Sequence, residues 1–447
     1  VPYDYVNLGQ IRAELLDRLQ DAGAVMTPAS EADIYIRESL RVLNALTLQP
    51  GTVDYVFDFE AGDTWKSLNV AGSPRERTIT DSDIYMQIEA MLMEPMSGGV
   101  WTGTNQYDIT LISGALQYRR DELLLLSAAN VVNLLQPSPL ASMRTFLPDS
   151  TLNLHRVRWI QADSTQGTPY ALGREDIISR NADGVNLSIQ PGEPDSWMIT
   201  ADSPLSFDCS CPPNQPGTWD MLASFSGTTL DPPAASLVGI PDDWTPALIY
   251  GALADVLSNA PEGRDAARAK YCMSRYEQFK KAIVKMPWLL QAQVGQVSVD
   301  TPGFKEMDTQ CQNWEVNAPE PVIVVGGVDL IALGPFVTGD PVSTLLTVVG
   351  NAPVPMVDSD PIQLSRDGVD AILAYAQHIA MFKLGGKTFS GTMPLYEQFE
   401  AYCRLKNSMY DALGIFRPDV IDQGNRGEER DPRFQREKEG HGKQTAR

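Results

Sequence analysis

Three histidines in 447 residues leave little of the commonest general base and metal ligand. They are His155, His378 and His441, and no HExxH or GxSxG context surrounds any of them. Each is read as a core or surface histidine. Five cysteines, an odd and sparse set, build no disulfide framework and fit synthesis in a reducing cytosol. Cys209 and Cys211 stand two apart with no second Cys/His pair nearby, so a buried strand accounts for them better than a metal. Long apolar runs are also missing. The most apolar one, LLLLSAANVVNLL at 123–135, is interrupted by Ser127, Asn130 and Asn133 and falls short of the roughly 20 residues a bilayer span needs. The opening VPYDYVNLGQ has neither a basic start nor an apolar stretch, so no signal peptide is expected.

Positive charge is scarce: 35 Lys and Arg face 57 Asp and Glu, for a net charge of −22. Binding to a phosphate backbone relies on cations displacing counterions, so such a chain is a poor general partner for nucleic acid. Its acidity suits solubility, a surface that repels DNA, or one that meets a basic partner. GGKT at 385–388 invites a phosphate-loop reading, but Met381 stands where that loop needs a glycine, and a helical pattern precedes it. Carboxylates are abundant, yet no spacing selects an acid–base pair. No enzyme activity, cofactor or metal site is expected.

What is present is mostly helical periodicity. Ile11, Leu15, Leu16 and Leu19 recur at helical spacing. In TPASEADIYIRESLRVLNAL, Thr27 is the expected N-cap, Pro28 lies in the first turn, and Ile36, Leu40, Leu43 and Leu46 form one face. YVFDF at 55–59 reads as a strand, DSDIYMQIEAMLM as a helix, and Tyr107–Leu135 as a long helix ended by QPSP. From Leu147 to about Pro233 the period becomes two, as in VNLSIQ (185–190) and LSFDCSC (205–211). The alternation slips near His155, which suggests a bulge.

Helices then return. In IPDDWTPALIYGALADVL, Asp243 can cap and Pro246 sits in the first turn. The next helix aligns Ala269, Met273, Tyr276, Phe279, Ile283 and Met286, with Pro287 as its end. Its polar side carries Arg264, Arg268, Lys270, Arg275, Lys280, Lys281 and Lys285. This is either a solvated face, a contact surface for an acidic neighbour (foremost another copy of the chain), or a DNA-binding face. Its aromatics lie in the apolar stripe, which argues against single-strand stacking platforms.

Residues 295–360 read as short strands and loops. A second helical pair follows. Leu364–Phe382 ends at Gly385 and Gly386, and a helix from near Thr392 places Leu395, Phe399, Tyr402 and Met409 on one face. Both pairs contain YEQF, at 276–279 and 396–399. The final mixed-charge stretch has almost no apolar residues and alone should be disordered.

The expected fold class is α+β: an α-helical bundle with an inserted antiparallel β-sandwich or barrel module and a C-terminal mixed extension. The divisions are 1–146 mainly helical, 147–239 the β module, 240–290 a helical pair closing the bundle, 295–420 a mixed extension, and 421–447 a charged arm.

The order of FLPDSTLNLHRVRW, PGEPDSWMIT, PLSFDCSCPPNQPG, LVGIPDDWTPALIYGALADVL and ARAKYCMSRYEQF resembles the head-to-tail adaptor (connector or neck) proteins of tailed bacteriophages, over about residues 1–290. The resemblance rests on element order and pattern, not on an invariant motif. It implies a virion structural protein, made in the host cytoplasm, that forms a ring of about twelve copies beneath the portal. Such a ring joins capsid to tail and lines the DNA channel. Implied partners are further copies of the chain, the portal, tail nozzle or tail tube proteins, and passing double-stranded DNA held without sequence-specific binding, with no membrane. On this reading Arg264, Arg268, Lys270, Arg275, Lys280 and Lys281 contribute to the subunit interface. Arg426, Arg430, Arg433, Phe434 and Arg436 belong to an arm reaching the portal or a neighbour. Residues 295–420 extend beyond the usual adaptor, which keeps open a tail nozzle or fibre-attachment ring. A tail-associated hydrolase with an unrecognised carboxylate site is the remaining alternative.

Overall fold

The computed structural model describes residues 5–47, 50–59, 65–67, 69, 71, 76–94, 96–97, 100–101, 106–127, 130–140, 142–161, 170–175, 190–202, 204–230, 235–260, 263–294, 322–326, 328–332, 342–351 and 354–412. Helix α1 (Leu8–Arg18) opens with a reciprocal capping box between Asn7 and Gln10. Helix α2 (Ala29–Thr47) has its first bond from Ala32 N–H to Pro28 C=O, which puts Pro28 at the cap position expected for Thr27. The turn before it is organised by Asp21, whose carboxylate accepts the backbone N–H groups of Val25, Met26 and Thr27. Strands β1 (Pro50–Phe59) and β2 (Trp65–Ser67) precede α3 (Asp81–Leu92), which is capped by a Thr80–Asp83 box. A short ladder of β3 (Met96–Ser97) and β4 (Val100–Trp101) leads to α4 (Ile109–Ser127).

The helix expected to run to Leu135 stops at Ser127. Residues Val131–Pro137 form strand β5, paired antiparallel with β12 from Val131↔Ser224 to Pro137↔Thr218. The two valines suit a pleated surface, and the pairing overrides the helical reading. The remaining strands here are β6 (Arg144–Phe146), β7 (Thr151–Gln161), β8 (Tyr170–Ala171), β9 (Gly173–Arg174), β10 (Ser196–Asp202), β11 (Leu205–Cys209) and β12 (Gly217–Phe225). They make two four-stranded sheets, β6-β11-β10-β9 and β5-β12-β7-β8, and neither closes into a barrel.

The two sheets share one apolar cluster. Its centre is Phe207, edge-on to Trp197 of its own sheet (6.3 Å) and to Trp219 of the other (5.6 Å). The expected bulge is present: the β12–β7 register steps from Leu222↔Arg156 to Ala223↔Leu154 and leaves His155 out. All five residues of β11 are buried, so the expected water-facing side of LSFDC is covered. Asp208 is satisfied there by the Arg144 guanidinium at 2.8 and 3.0 Å. VNLSIQ lies outside the described residues apart from Gln190.

A 3-10 turn at Asp242–Trp244 introduces α5 (Thr245–Asn259), with Pro246 in its first turn. Asp243 does not cap this helix. It accepts from Asn44 of α2 at 3.3 Å, while Asp242 takes the Thr78 and Ile79 N–H groups. Helix α6 (Ala266–Val294) continues through Pro287, where termination was expected. A proline removes one backbone bond and favours a kink, costs that a long helix can absorb.

Strands β13 (Val322–Gly326) and β14 (Val328–Ala332) extend a sheet with β2. Strand β15 (Val342–Asn351) pairs with β1 along ten residues, from Pro50↔Asn351 to Phe59↔Val342. The late strands therefore complete ladders begun by the early ones. The second helical pair is α7 (Arg366–Phe382) and α9 (Met393–Ala412), separated by the short α8 (Gly386–Ser390). Gly385 and Gly386 lie at φ +60° and +55°, so the chain turns there at little steric cost after α7 ends.

Both helical pairs and the N-terminal helices share one core. The repeated phrase makes a repeated contact: Tyr250 stacks on Phe279 in the first pair (6.5 Å), and Tyr375 on Phe399 in the second (4.5 Å). The Tyr250 and Tyr375 hydroxyls then meet at 3.1 Å between the pairs. The buried side of α9 is Tyr396, Phe399, Cys403 and Asn407; of the expected face, Phe399 is buried and Leu395 and Tyr402 are half-buried. In the first pair, a Cβ on Gly251 would stand 2.8 Å from the Tyr276 ring. Gly251→Ala is therefore expected to cost about 1–3 kcal/mol through overpacking, read as a lowered Tm.

Candidate assembly surfaces

The six basic residues on and just before α6 are the sequence's candidate contact surface, and they separate into two groups. Three are occupied within the chain. Lys280 Nζ lies 2.6 Å from Glu122 of α4, which also accepts the Tyr276 hydroxyl at 2.6 Å. Arg119 of α4 forks onto Asp255 of α5 at 2.8 and 2.7 Å, reaches Glu122 at 2.9 Å and lies 4.7 Å from the Tyr276 ring centroid. Burial pushes the Glu122 carboxyl up, but its bonds from Lys280, Tyr276 and Arg119 bring it below its ordinary value. The bond to Glu122 in turn raises Lys280.

On the opposite flank, Arg275 covers the Tyr396 ring at 3.9 Å and stands 3.6 Å from Glu400 of α9. Arg268 bonds Asp265 at 2.8 Å and lies over Phe382. These contacts clamp α6 between α4 and α9, and charge reversal at Arg268, Arg275 or Lys280 would strike the fold first.

Arg264, Lys270 and Lys281 are exposed. Lys270 and Lys281 are eleven residues apart, close to three helical turns, so they share a face, with exposed Ser274 between them. These three are the residues available to a neighbour. Arg426, Arg430, Arg433, Phe434 and Arg436 lie outside the described residues.

A second surface escaped the sequence reading. Helix α4 turns Arg119 and Arg120 inward and shows apolar side chains to water: Tyr118 is 63% exposed, Leu125 49% and Leu126 42%. The next strand adds Val132 and Leu135 (60% exposed), and β6 adds Phe146, whose carbonyl accepts from Gln136 of β5 at 3.1 Å. The sequence carries the signal in its most apolar run, 123–135. Four consecutive leucines on a helix sweep about 300°, so Leu123–Leu126 cannot all face one core. Leu123 and Leu124 are buried, and Leu125 and Leu126 are left outside. Exposed apolar side chains grouped along consecutive elements are a recognised mark of interaction surfaces.

Cys209 and Cys211 are buried in the β module, and His378 is buried in the helical core. Among the described residues, no group of three or more His, Cys, Asp or Glu is placed to hold a metal ion, and no helix is long and apolar enough to cross a membrane. Compared with protein-family models and with curated proteins, the chain matches none.

Proposed function

We propose that this chain is a structural assembly protein, a head-to-tail adaptor of a tailed bacteriophage. It acts as a ring under the portal that joins capsid to tail and surrounds the DNA path. The observation that carries the assembly half of this reading is the inverted α4, with ion pairs inside and Tyr118, Leu125 and Leu126 outside. A second copy covering that face would remove roughly 25 cal/mol per Å2 of apolar surface from water. The adaptor half rests on the resemblance in element order over residues 1–290, and the helix–β module–helix succession is compatible with it.

A closed ring needs two unlike faces on each subunit. The apolar α4–β5 surface and the exposed Lys270–Lys281 face of α6, with Arg264 just before that helix, are the candidates for two such surfaces on one acidic body. The net charge of −22 suits a channel wall that lets DNA slide, because an acidic wall repels phosphate.

Substitution tests the surfaces. A triple variant Arg264→Glu, Lys270→Glu, Lys281→Glu, and separately Leu125→Lys with Leu135→Lys, should each abolish self-association in sedimentation while leaving the far-UV circular dichroism unchanged. Association at wild-type strength in both would remove these surfaces from the account.

A further inference from the structure

The turn between α1 and α2 shows apolar side chains to water on a backbone that other side chains hold in place. Val25 is 82% exposed, the highest value among the large apolar side chains described, and Met26 beside it is exposed as well. Their N–H groups and that of Thr27 all bond the Asp21 carboxylate, at 3.0, 2.8 and 2.7 Å. The Met26 carbonyl accepts from Lys383 Nζ at 2.8 Å, and that largely buried ammonium also lies 2.6 Å from Glu31. Gln20 and Ala24 hold left-handed backbone, at φ +58° and +49°, which residues other than glycine rarely adopt. Strained backbone kept by surrounding bonds clusters at functional loops, and a preset loop loses little freedom on binding.

The tip continues into a basic rim. Leu384, next to Lys383, is exposed, and Gly385 after it backs onto the start of α6: a Cβ there would stand 3.5 Å from Arg268 Nε and 3.7 Å from Asp265 Oδ2. Asp265 and Glu31, the carboxylates along this line, are bonded to Arg268 and Lys383. Arg264, just before α6, and Lys387, in the first turn of α8, are exposed and have no ion pair among the described residues. The α4–β5 surface has the complementary make-up at its edge towards the β module. Asp121 of α4 is partly exposed and accepts the Ser226 hydroxyl at 2.8 Å, while the Ser226 N–H bonds the Ser150 carbonyl at 2.8 Å. That brings the exposed carboxylate of Asp149 to the same edge. Arg144, the exposed cation near Phe146, is taken up by Asp208.

We propose that the Val25–Met26 tip and Leu384 of one copy seat on the α4–β5 surface of the next copy, with Arg264 and Lys387 opposite Asp121 and Asp149. This rests on the ring reading above and names the mate that the apolar surface requires. Two unlike faces on one chain make a head-to-tail contact that can close into a ring, whereas α4 against α4 would close a dimer. The apolar side chains supply the buried area, and the opposed rims fix the register and reject the reversed pairing.

The test is sedimentation of the full chain, alone and with an isolated portal ring, joined to disulfide trapping. Val25→Asp with Met26→Asp puts two carboxylates where the contact is apolar and acid-rimmed, and self-association should weaken about thirtyfold or more. Both side chains are exposed, so the far-UV circular dichroism should not change. Met26→Cys combined with Leu125→Cys should give, on oxidation, a ladder of disulfide-linked multimers, while either cysteine alone stops at dimers. Association of the aspartate variant at wild-type strength, or absence of the ladder while the wild type associates, overturns the proposal and leaves the ring reading standing. A wild type that forms no multimer, alone or with the portal, overturns both.

Discussion

Phe399→Ala should lower the stability of the helical core by about 3–5 kcal/mol, the range for truncating a fully buried phenylalanine. Phe399 has no exposure, and its ring stacks 4.5 Å from Tyr375, which bonds Tyr250 in the first helical pair. The loss should therefore pass into the first pair and into α2. In denaturant unfolding, amides of α5 and α7 should lose protection at one shared midpoint, shifted downward in the variant. Two separate midpoints, with only the later one moved, would mean that the second pair folds as an independent domain. Phe279→Ala, the same position in the first pair, should show a comparable loss.

Arg119→Ala is the second large effect. It removes a fork onto Asp255, a bond to Glu122 and the guanidinium cover on Tyr276. Truncating one partner of a fully buried pair costs about 3–5 kcal/mol, but Asp255 and Glu122 keep some contact with water, so about 2–3 kcal/mol is expected. Lys281→Ala, exposed on the next helix over, should stay within about 0.5 kcal/mol of wild type as a monomer. Chemical denaturation of the two variants side by side checks the contrast. Equal stability would show that the Arg119 cluster does not hold α4, α5 and α6 together.

Much of the helical architecture was legible because burial imposes a 3.6-residue period. The stripe of Ala269, Tyr276, Phe279 and Ile283 lies inside as its spacing predicts. The bulge at His155 was legible for a related reason, since one extra residue reverses the alternation of faces. Strand β5 was not, because its strand character comes from β12, about 85 residues later.

The basic helix marks a different limit. Whether Lys280 and Arg275 meet water or a carboxylate depends on Glu122 and Glu400, on helices far away in sequence. Helical spacing within α6 cannot report that. The repeated YEQF pointed to a shared packing unit, yet its role depends on the Tyr250–Tyr375 contact, which joins the two pairs only in three dimensions.

The measurement that bears most directly on the proposed function is the mass of the purified chain, alone and with an isolated portal ring, by light scattering and negative-stain imaging. The account predicts a closed ring of about twelve 49.1-kDa subunits, formed either in solution or on the portal. A stable monomer or trimer that leaves the portal bare would contradict it.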